Sequence, residues 1–283
     1  MLKHPSIAGI VLHSDAELTD ALGAGIRRRS TIHEWPLSCV QKVELEDGAR
    51  FAYKSQLPPT VEPTFYEKAS SPLLPGHRLL EAVGDCQTMV IDWIDAPALH
   101  DVLNGADDLL ARGRDIVAAI GGIAGELPFY LDVSTADAWT GEVEIALGKT
   151  TKLIHDGRFP SIDTDMVRRV RAWATDPQVV DRLTRDTRIV NSDLRTDQVL
   201  VTADGYRVLD WQRPVLATPD LDLVSLLLSE NVDPRRFVHA DADRMYWMLR
   251  LHWTALAQHD LFPDFTRPFF DQWADEAIRK ILT

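Results

Sequence analysis

The stretch VLVTADGYRVLDW, residues 199–211, constrains this chain more than any other. Two short runs rich in Val, Leu and Tyr flank Asp204-Gly205, and an acid–glycine pair between such runs turns a β-hairpin. The residues before and after it have helical spacing, so one β-ribbon is set into a helical region. The two strands of a hairpin bring their outer ends together. Asp193 lies on the loop before the first strand and Asp210 ends the second, so the two are expected close in space. Carboxylates held together raise each other's pKa unless a cation neutralises them. The pair therefore reads either as part of a divalent-metal site or as two solvated loop acids.

The same signal recurs in the first hundred residues. CVQKVEL and ARFAYKSQ flank EDG, and HRLLEAVG meets CQTMVIDWI at a Gly-Asp turn. Between the pairs, PTFYEKASSPLL reads as a short helix with Pro63 near its start and Pro72 and Pro75 limiting its end. After about residue 96 the pattern becomes helical, broken by glycines. The expected organisation is an α+β chain with a small β-rich N-terminal lobe, residues 1–95, and a larger, mostly helical lobe, residues 96–283.

With 283 residues, 45% of them apolar, the chain is long enough for two lobes around a cleft. Its net charge of −13 argues against non-specific binding to nucleic acid or an anionic membrane, and is compatible with a cationic small-molecule ligand. Cys39 and Cys86 have neither metal spacing nor a disulfide framework and read as reduced thiols, which implies a cytoplasmic setting. The apolar run IAGIVL is too short for the core of a signal peptide, and no segment approaches membrane-spanning length. None of the nine histidines has metal-ligand or triad-like spacing.

In SDLRTDQVLV, GYRVLDW and TPDLDLVSL the chain resembles the aminoglycoside phosphotransferases and related small-molecule kinases, which share the protein-kinase-like fold. That superfamily writes H-G-D-x-x-x-x-N, then a strand pair ending in I-D-[WF], then P-x-x-D-L-A. The resemblance implies a bilobal kinase-like fold and puts Asp193 on the catalytic aspartate. Gln198 falls on the metal-binding asparagine and Asp210 on the metal-binding aspartate. Pro219, Asp222 and Leu223 fit the third motif, in which Asp222 would brace the catalytic loop. FAYK matches the A-x-K of a kinase third strand, with Ala52 leaving room for adenine and Lys54 reaching the phosphates. Glu67 on the next helix is the implied partner of Lys54, with Glu62 its rival. MVIDWI looks like the hinge: Ile91 would line the pocket, and the backbone of Asp92 and Ile94 would meet the adenine edge. Ser38 would offer a hydroxyl or amide to the phosphates, and Arg195 a forked guanidinium to the γ-phosphate unless it is a surface arginine.

The chain departs from the family in three places. The catalytic loop opens with Asn191-Ser192 instead of His-Gly, the nucleotide loop HEWPLS lacks glycines, and Gln198 is one methylene longer than asparagine. The implied activity is ATP- and Mg²⁺-dependent transfer of the γ-phosphate to a hydroxyl of a small molecule, such as an aminoglycoside-like antibiotic, a sugar or an amino alcohol. The departures keep open a nucleotide-binding pseudokinase that serves as a regulatory or interaction module. No activation segment ending in A-P-E follows Asp210, which disfavours a protein kinase. Trp93 and Trp211 read as structural, and the aromatic stripe of MYWMLRLHWTAL as core. The last fifty residues carry no matching motif, and neither the acceptor nor the oligomeric state is legible.

Overall fold

In the computed structural model, which describes residues 1–265 and 268–283, the N-terminal segment forms β1 (Leu2–Lys3), β2 (Val11–Leu12) and α1 (Asp15–Leu22). Ser14 caps α1 in a reciprocal capping box with Glu17. Then come β3 (Ile26–Trp35), β4 (Ser38–Leu45), β5 (Arg50–Gln56), α2 (Glu62–Lys68), β6 (His77–Val83) and β7 (Cys86–Asp92). These strands form one antiparallel sheet of order β3-β4-β5-β7-β6, with β5 at its centre. Both hairpins expected from the sequence are present, β4–β5 across the EDG turn and β6–β7 across Gly84-Asp85. Gly48 takes φ +91° in the first turn, a conformation that glycine adopts without a Cβ clash.

The chain continues through α3 (Leu99–Val102), α4 (Ala106–Ile120), β8 (Leu131–Asp132), α5 (Ala136–His155), α6 (Thr164–Ala174), α7 (Pro177–Leu183) and β9 (Arg188–Val190). A 3-10 turn, Thr196–Gln198, leads into β10 (Val199–Thr202) and β11 (Gly205–Val208), which pair antiparallel from Val199–Val208 to Thr202–Gly205. After β12 (Val215–Ala217) come α8 (Asp220–Ser229), α9 (Ala240–Leu256) and α10 (Phe269–Leu282). β12 lies between β8 and β9 in a three-stranded sheet. No helix among the described residues is long and apolar enough to cross a membrane.

Two compact units result. The strand-rich unit comprises Met1–Leu103, Gly122–Tyr130 and Thr196–Pro214; the helix-rich unit comprises Asn104–Gly121, Leu131–Arg195 and Val215–Thr283. A single cut between residues 95 and 96 assigns the β10–β11 ribbon to the helical side, whereas its contacts group it with the strand-rich unit. In that unit, Leu18, Cys39, Val43, Tyr53 and Val90 form a core on one face of the sheet. Lys54 points to the other face, because successive strand residues alternate. In the helix-rich unit α8 is the most enclosed helix. Its residues Leu221 to Leu227 are all buried, as its near-continuous apolar sequence requires. A Cβ on Gly113 of α4 would lie 3.0 Å from Leu223, so a glycine there lets α4 approach α8 closely.

Candidate functional site

The candidate residues fall into two groups, one in each unit. In the strand-rich unit the anchor is Lys54, opposite Val40 on β4 and Met89 on β7 and only 6% exposed. An ammonium so enclosed needs anions. Its Nζ donates to Glu62 Oε1 at 2.7 Å, lies 2.6 Å from Oε2, and reaches Asp210 Oδ1 at 3.2 Å.

Glu62, not Glu67, is thus the partner of Lys54, which corrects the expectation from the sequence. Helical geometry gives the reason. Glu62, Phe65 and Tyr66 share the buried face of α2, whereas Glu67 is five positions, about 140° of rotation, past Glu62 and is exposed. Glu62 Oε1 also accepts the backbone N–H of Trp211 at 3.1 Å, and the Trp211 ring stacks on Phe65 at 4.4 Å. One buried carboxylate therefore ties β5, α2 and the end of the ribbon together.

The ribbon supplies the rest of this group. Leu209 N–H donates to the Gln198 carbonyl at 2.9 Å, which closes the open end of the hairpin. Gln198 Nε2 then donates to Asp210 Oδ2 at 3.2 Å. Asp210 sits at φ +63°, in the left-handed region that side-chain-bearing residues rarely occupy. Such a conformation costs about 1–3 kcal/mol and persists where surrounding bonds over-determine it; here Lys54 and Gln198 hold the carboxylate. Burial opposes the charge of Lys54, yet Glu62 and Asp210 outweigh it and keep the ammonium above its ordinary value. Burial pushes Glu62 up. For Asp210 desolvation is again the largest influence, but Lys54, Arg213 and His33 together hold the carboxyl below its usual value.

The other candidates of this unit surround the sheet. Ala52, half-buried, shares the Lys54 face of β5 and pairs with buried Ile91 on β7. Asp92 is exposed and Ile94 half-buried. The Asp92 N–H is taken by the Gly76 carbonyl at 2.7 Å, so Asp92 has its carbonyl and not its N–H to offer a ligand. Ser38 is buried at the first position of β4, opposite Trp35. Trp93 carries Lys42 over its ring at 4.3 Å. Asp197 is exposed.

In the helix-rich unit the centre is the loop that follows β9. Asp222, fully buried on α8, accepts the N–H of Asn191 at 2.9 Å on Oδ2 and that of Ser192 at 2.7 Å on Oδ1. Ser192 is at φ +70°, and these two bonds pin it there. Asn191 Oδ1 accepts the N–H of Asp193 at 3.2 Å, so the asparagine that stands at the family's histidine position makes a loop bond of its own. Burial pushes the Asp222 carboxyl up to about 7, against the two N–H bonds that lower it. Asp193 is half-exposed and Arg195 exposed. Arg250 on α9 donates from Nη1 to Asp193 Oδ1 at 3.4 Å and to Tyr246 Oη at 3.3 Å. Sequence reasoning missed both α9 residues. The available signal was an arginine four positions after a tyrosine inside an otherwise apolar aromatic stripe.

Among the described residues no group of three or more His, Cys, Asp or Glu side chains could hold a metal. Asp210 and Gln198 still suit Mg²⁺, which takes one or two protein oxygens and completes its shell with water and phosphate.

No protein-family model matches the sequence, and no curated protein does. Solved structures do match. A thermostable mutant of an aminoglycoside phosphotransferase, in a ternary complex with ADP and hygromycin B, superposes with TM-score 0.60 at 14% identity over 94% of this chain and 98% of that one. The fold is that of the small-molecule kinases. Spectinomycin phosphotransferase in complex with ADP and spectinomycin matches with TM-score 0.58 at 11% identity, over 96% of this chain and 99% of that chain. A choline/ethanolamine kinase family protein from Mesorhizobium loti gives TM-score 0.58 at 16% identity, over 94% and 92%. The chain thus shares the aminoglycoside-phosphotransferase-like, protein-kinase-like fold over nearly its whole length.

Proposed function

We propose that this protein is a small-molecule kinase that transfers the γ-phosphate of ATP to a hydroxyl. The observation that carries the reading is the group Lys54–Glu62–Asp210–Gln198, a buried cation held by one carboxylate and facing a second, in a chain with the small-molecule kinase fold. Phosphoryl transfer asks a protein for positioning and charge. In this reading Lys54 binds the α/β-phosphates and Glu62 fixes it. Ala52 and Ile91 border the adenine, with the Asp92 carbonyl and the Ile94 backbone at its edge. Ser38 stands near the phosphate loop. Mg²⁺, held by Asp210 and Gln198, would neutralise charge on the phosphates when bound. Asp193 orients the acceptor hydroxyl and accepts its proton, and Arg195 steadies the transferred group. The acceptor oxygen bonds to the γ-phosphorus, the bond from that phosphorus to the β–γ bridging oxygen breaks, and ADP leaves with the electron pair.

The test is ATP-dependent transfer by the full chain with a panel of hydroxylated acceptors, alongside ADP and ATP titrations. Saturable nucleotide binding with no transfer to any acceptor would move the protein to the nucleotide-binding-module reading. Asp193→Asn is expected to lower transfer on the order of 10²-fold or more while nucleotide affinity stays near wild type. Wild-type turnover in that variant would remove Asp193 from the chemistry. Gln198→Ala is expected to raise the free Mg²⁺ needed for half-maximal rate at saturating ATP, because an oxygen ligand is lost. Superimposable Mg²⁺ curves would take Gln198 out of the metal site.

A further inference from the structure

The last fifty residues match no motif, yet one side of α9 and α10 is not core. With the end of α8 and the 3-10 turn Pro234–Arg236, these helices line an open cavity of about 610 Å³, within the size range of small-molecule sites. It lies within the helix-rich unit, and its lining includes Arg195 and Arg250, one neighbouring Asp193 in sequence and the other bonded to it. Tyr246, Trp247 and Trp273 add aromatic surface to the lining.

The charge of that lining departs from the charge of the chain. Acids outnumber Lys and Arg by 43 to 30 over the whole sequence. In the cavity wall the cations are Arg195, Arg235, Arg250 and Lys280, and the acids are Asp233, Asp243 and Glu276. Asp243 is already committed, because it accepts from Arg235 Nε at 2.6 Å and from Trp247 Nε1 at 3.1 Å. Asp233 caps the 3-10 turn by accepting the Arg235 N–H. Both bonds of Arg250 leave from Nη1, so Nε and Nη2 of its fork carry no hydrogen bond among the described residues. Lys280 stands 5.7 Å from the centre of the Trp247 ring.

We propose that this cavity takes the acceptor, and that the acceptor is a hydroxyl compound carrying an anionic group, a carboxylate or a phosphate, rather than a polycation. The inference rests on the phosphotransferase reading and names its substrate class. A polycationic sugar would meet a wall of four cations and three acids, of which Asp233 and Asp243 already accept bonds and Glu276 acts on Arg250. An anion meets the open side of the Arg250 fork, the geometry that binds carboxylate and phosphate in a bidentate manner. Because Arg250 also touches Asp193, an anion held there brings a hydroxyl on a nearby carbon to the catalytic carboxylate. The product is the phosphate ester of that hydroxyl.

Matched acceptors separate the alternatives: glycerol, glycerate and glycerol phosphate, a neutral hexose against its sugar acid, and a polyamine-bearing aminoglycoside. Each is assayed with ATP and Mg²⁺ and also titrated calorimetrically against the full chain with ADP present. The anionic members are expected to show KM values at least about tenfold below their neutral counterparts, the scale of a charge-assisted hydrogen bond. The glycerate and glycerol phosphate arms distinguish a carboxylate from a phosphate. Lys280→Glu, on an exposed residue, is expected to raise KM for the anionic acceptor roughly three- to tenfold with kcat within about twofold. Lys280→Gln should fall between it and wild type. A lower KM for the neutral or polycationic acceptor overturns the inference and leaves the kinase reading standing. So does an anionic-to-neutral ratio that both variants leave unchanged. Conversely, saturable binding of the anionic compounds that Lys280→Glu weakens, with no phosphate transfer to anything, sustains the anion site and sinks the kinase reading. An absence of binding to every anionic compound overturns the inference.

Discussion

Asp222→Ala is expected to lower the free energy of unfolding by roughly 2–5 kcal/mol, because it removes the carboxylate that accepts two loop N–H groups, one buried and one half-buried, and each such loss costs about 1–3 kcal/mol. Those groups are the amides of Asn191 and Ser192, which donate to the two carboxylate oxygens at 2.9 and 2.7 Å. The loop should then lose its left-handed turn at Ser192, so transfer activity should fall even where the variant remains folded. Asp222→Asn offers one acceptor oxygen and should lie between the two. The pH dependence has a definite sign. Asp222 titrates at about 7 in the native state and near about 3.9 in the unfolded chain. Between these values the native carboxyl keeps a proton that the unfolded one has released, so its contribution to stability falls as pH rises through this window, by up to about 1.4 kcal/mol per pH unit, and is level above it. Urea midpoints for wild type and Asp222→Asn between pH 4 and pH 8 check this. The wild-type lead should narrow toward pH 7, and a lead that widens instead would mean that the native carboxylate stays charged.

Glu62→Ala is the second large effect. It removes the closest partner of a buried ammonium, and breaking a buried ion pair from one side costs about 3–5 kcal/mol. Lys54 would keep only Asp210, at 3.2 Å, and the Trp211 N–H would lose its acceptor. Glu67→Ala is the control. Its side chain is exposed and has no resolved role, so its effect should stay within about 0.5 kcal/mol. Thermal or urea unfolding of the two variants, with ATP titrations beside them, separates the assignments. A stable Glu62→Ala protein that binds ATP as wild type does would return the role to another acid.

The contrast between Glu62 and Glu67 marks the limit of reading a sequence in one dimension. Both are glutamates of one seven-residue helix, and motif spacing tolerates either. Only the rotation of α2 against the sheet decides which carboxylate is buried. Arg250 shows the same limit more strongly. Nothing in MYWMLRLHWTAL ties an arginine to an aspartate fifty-seven positions earlier, because that contact depends on how α9 packs within its unit. The strained turns at Ser192 and Asp210 were also out of view, since neither is a glycine and their φ values are imposed by Asp222, Lys54 and Gln198.

Local periodicity and turn chemistry did determine the hairpins at EDG, at Gly84-Asp85 and at Asp204-Gly205, the helical run after residue 96, and hence the α+β class, while the kinase-like fold came from the resemblance of the motifs around Asp193, Asp210 and Asp222. Such features depend on residues a few positions apart, whose spacing on a strand or helix the sequence displays directly. The ribbon's grouping with the strand-rich unit, the partner of Lys54, the contact of Arg250 with Asp193 and the charge of the cavity were decided by tertiary structure alone. Each is a contact between distant segments, and its energy comes from burial and charge pairing that exist only once those segments are packed.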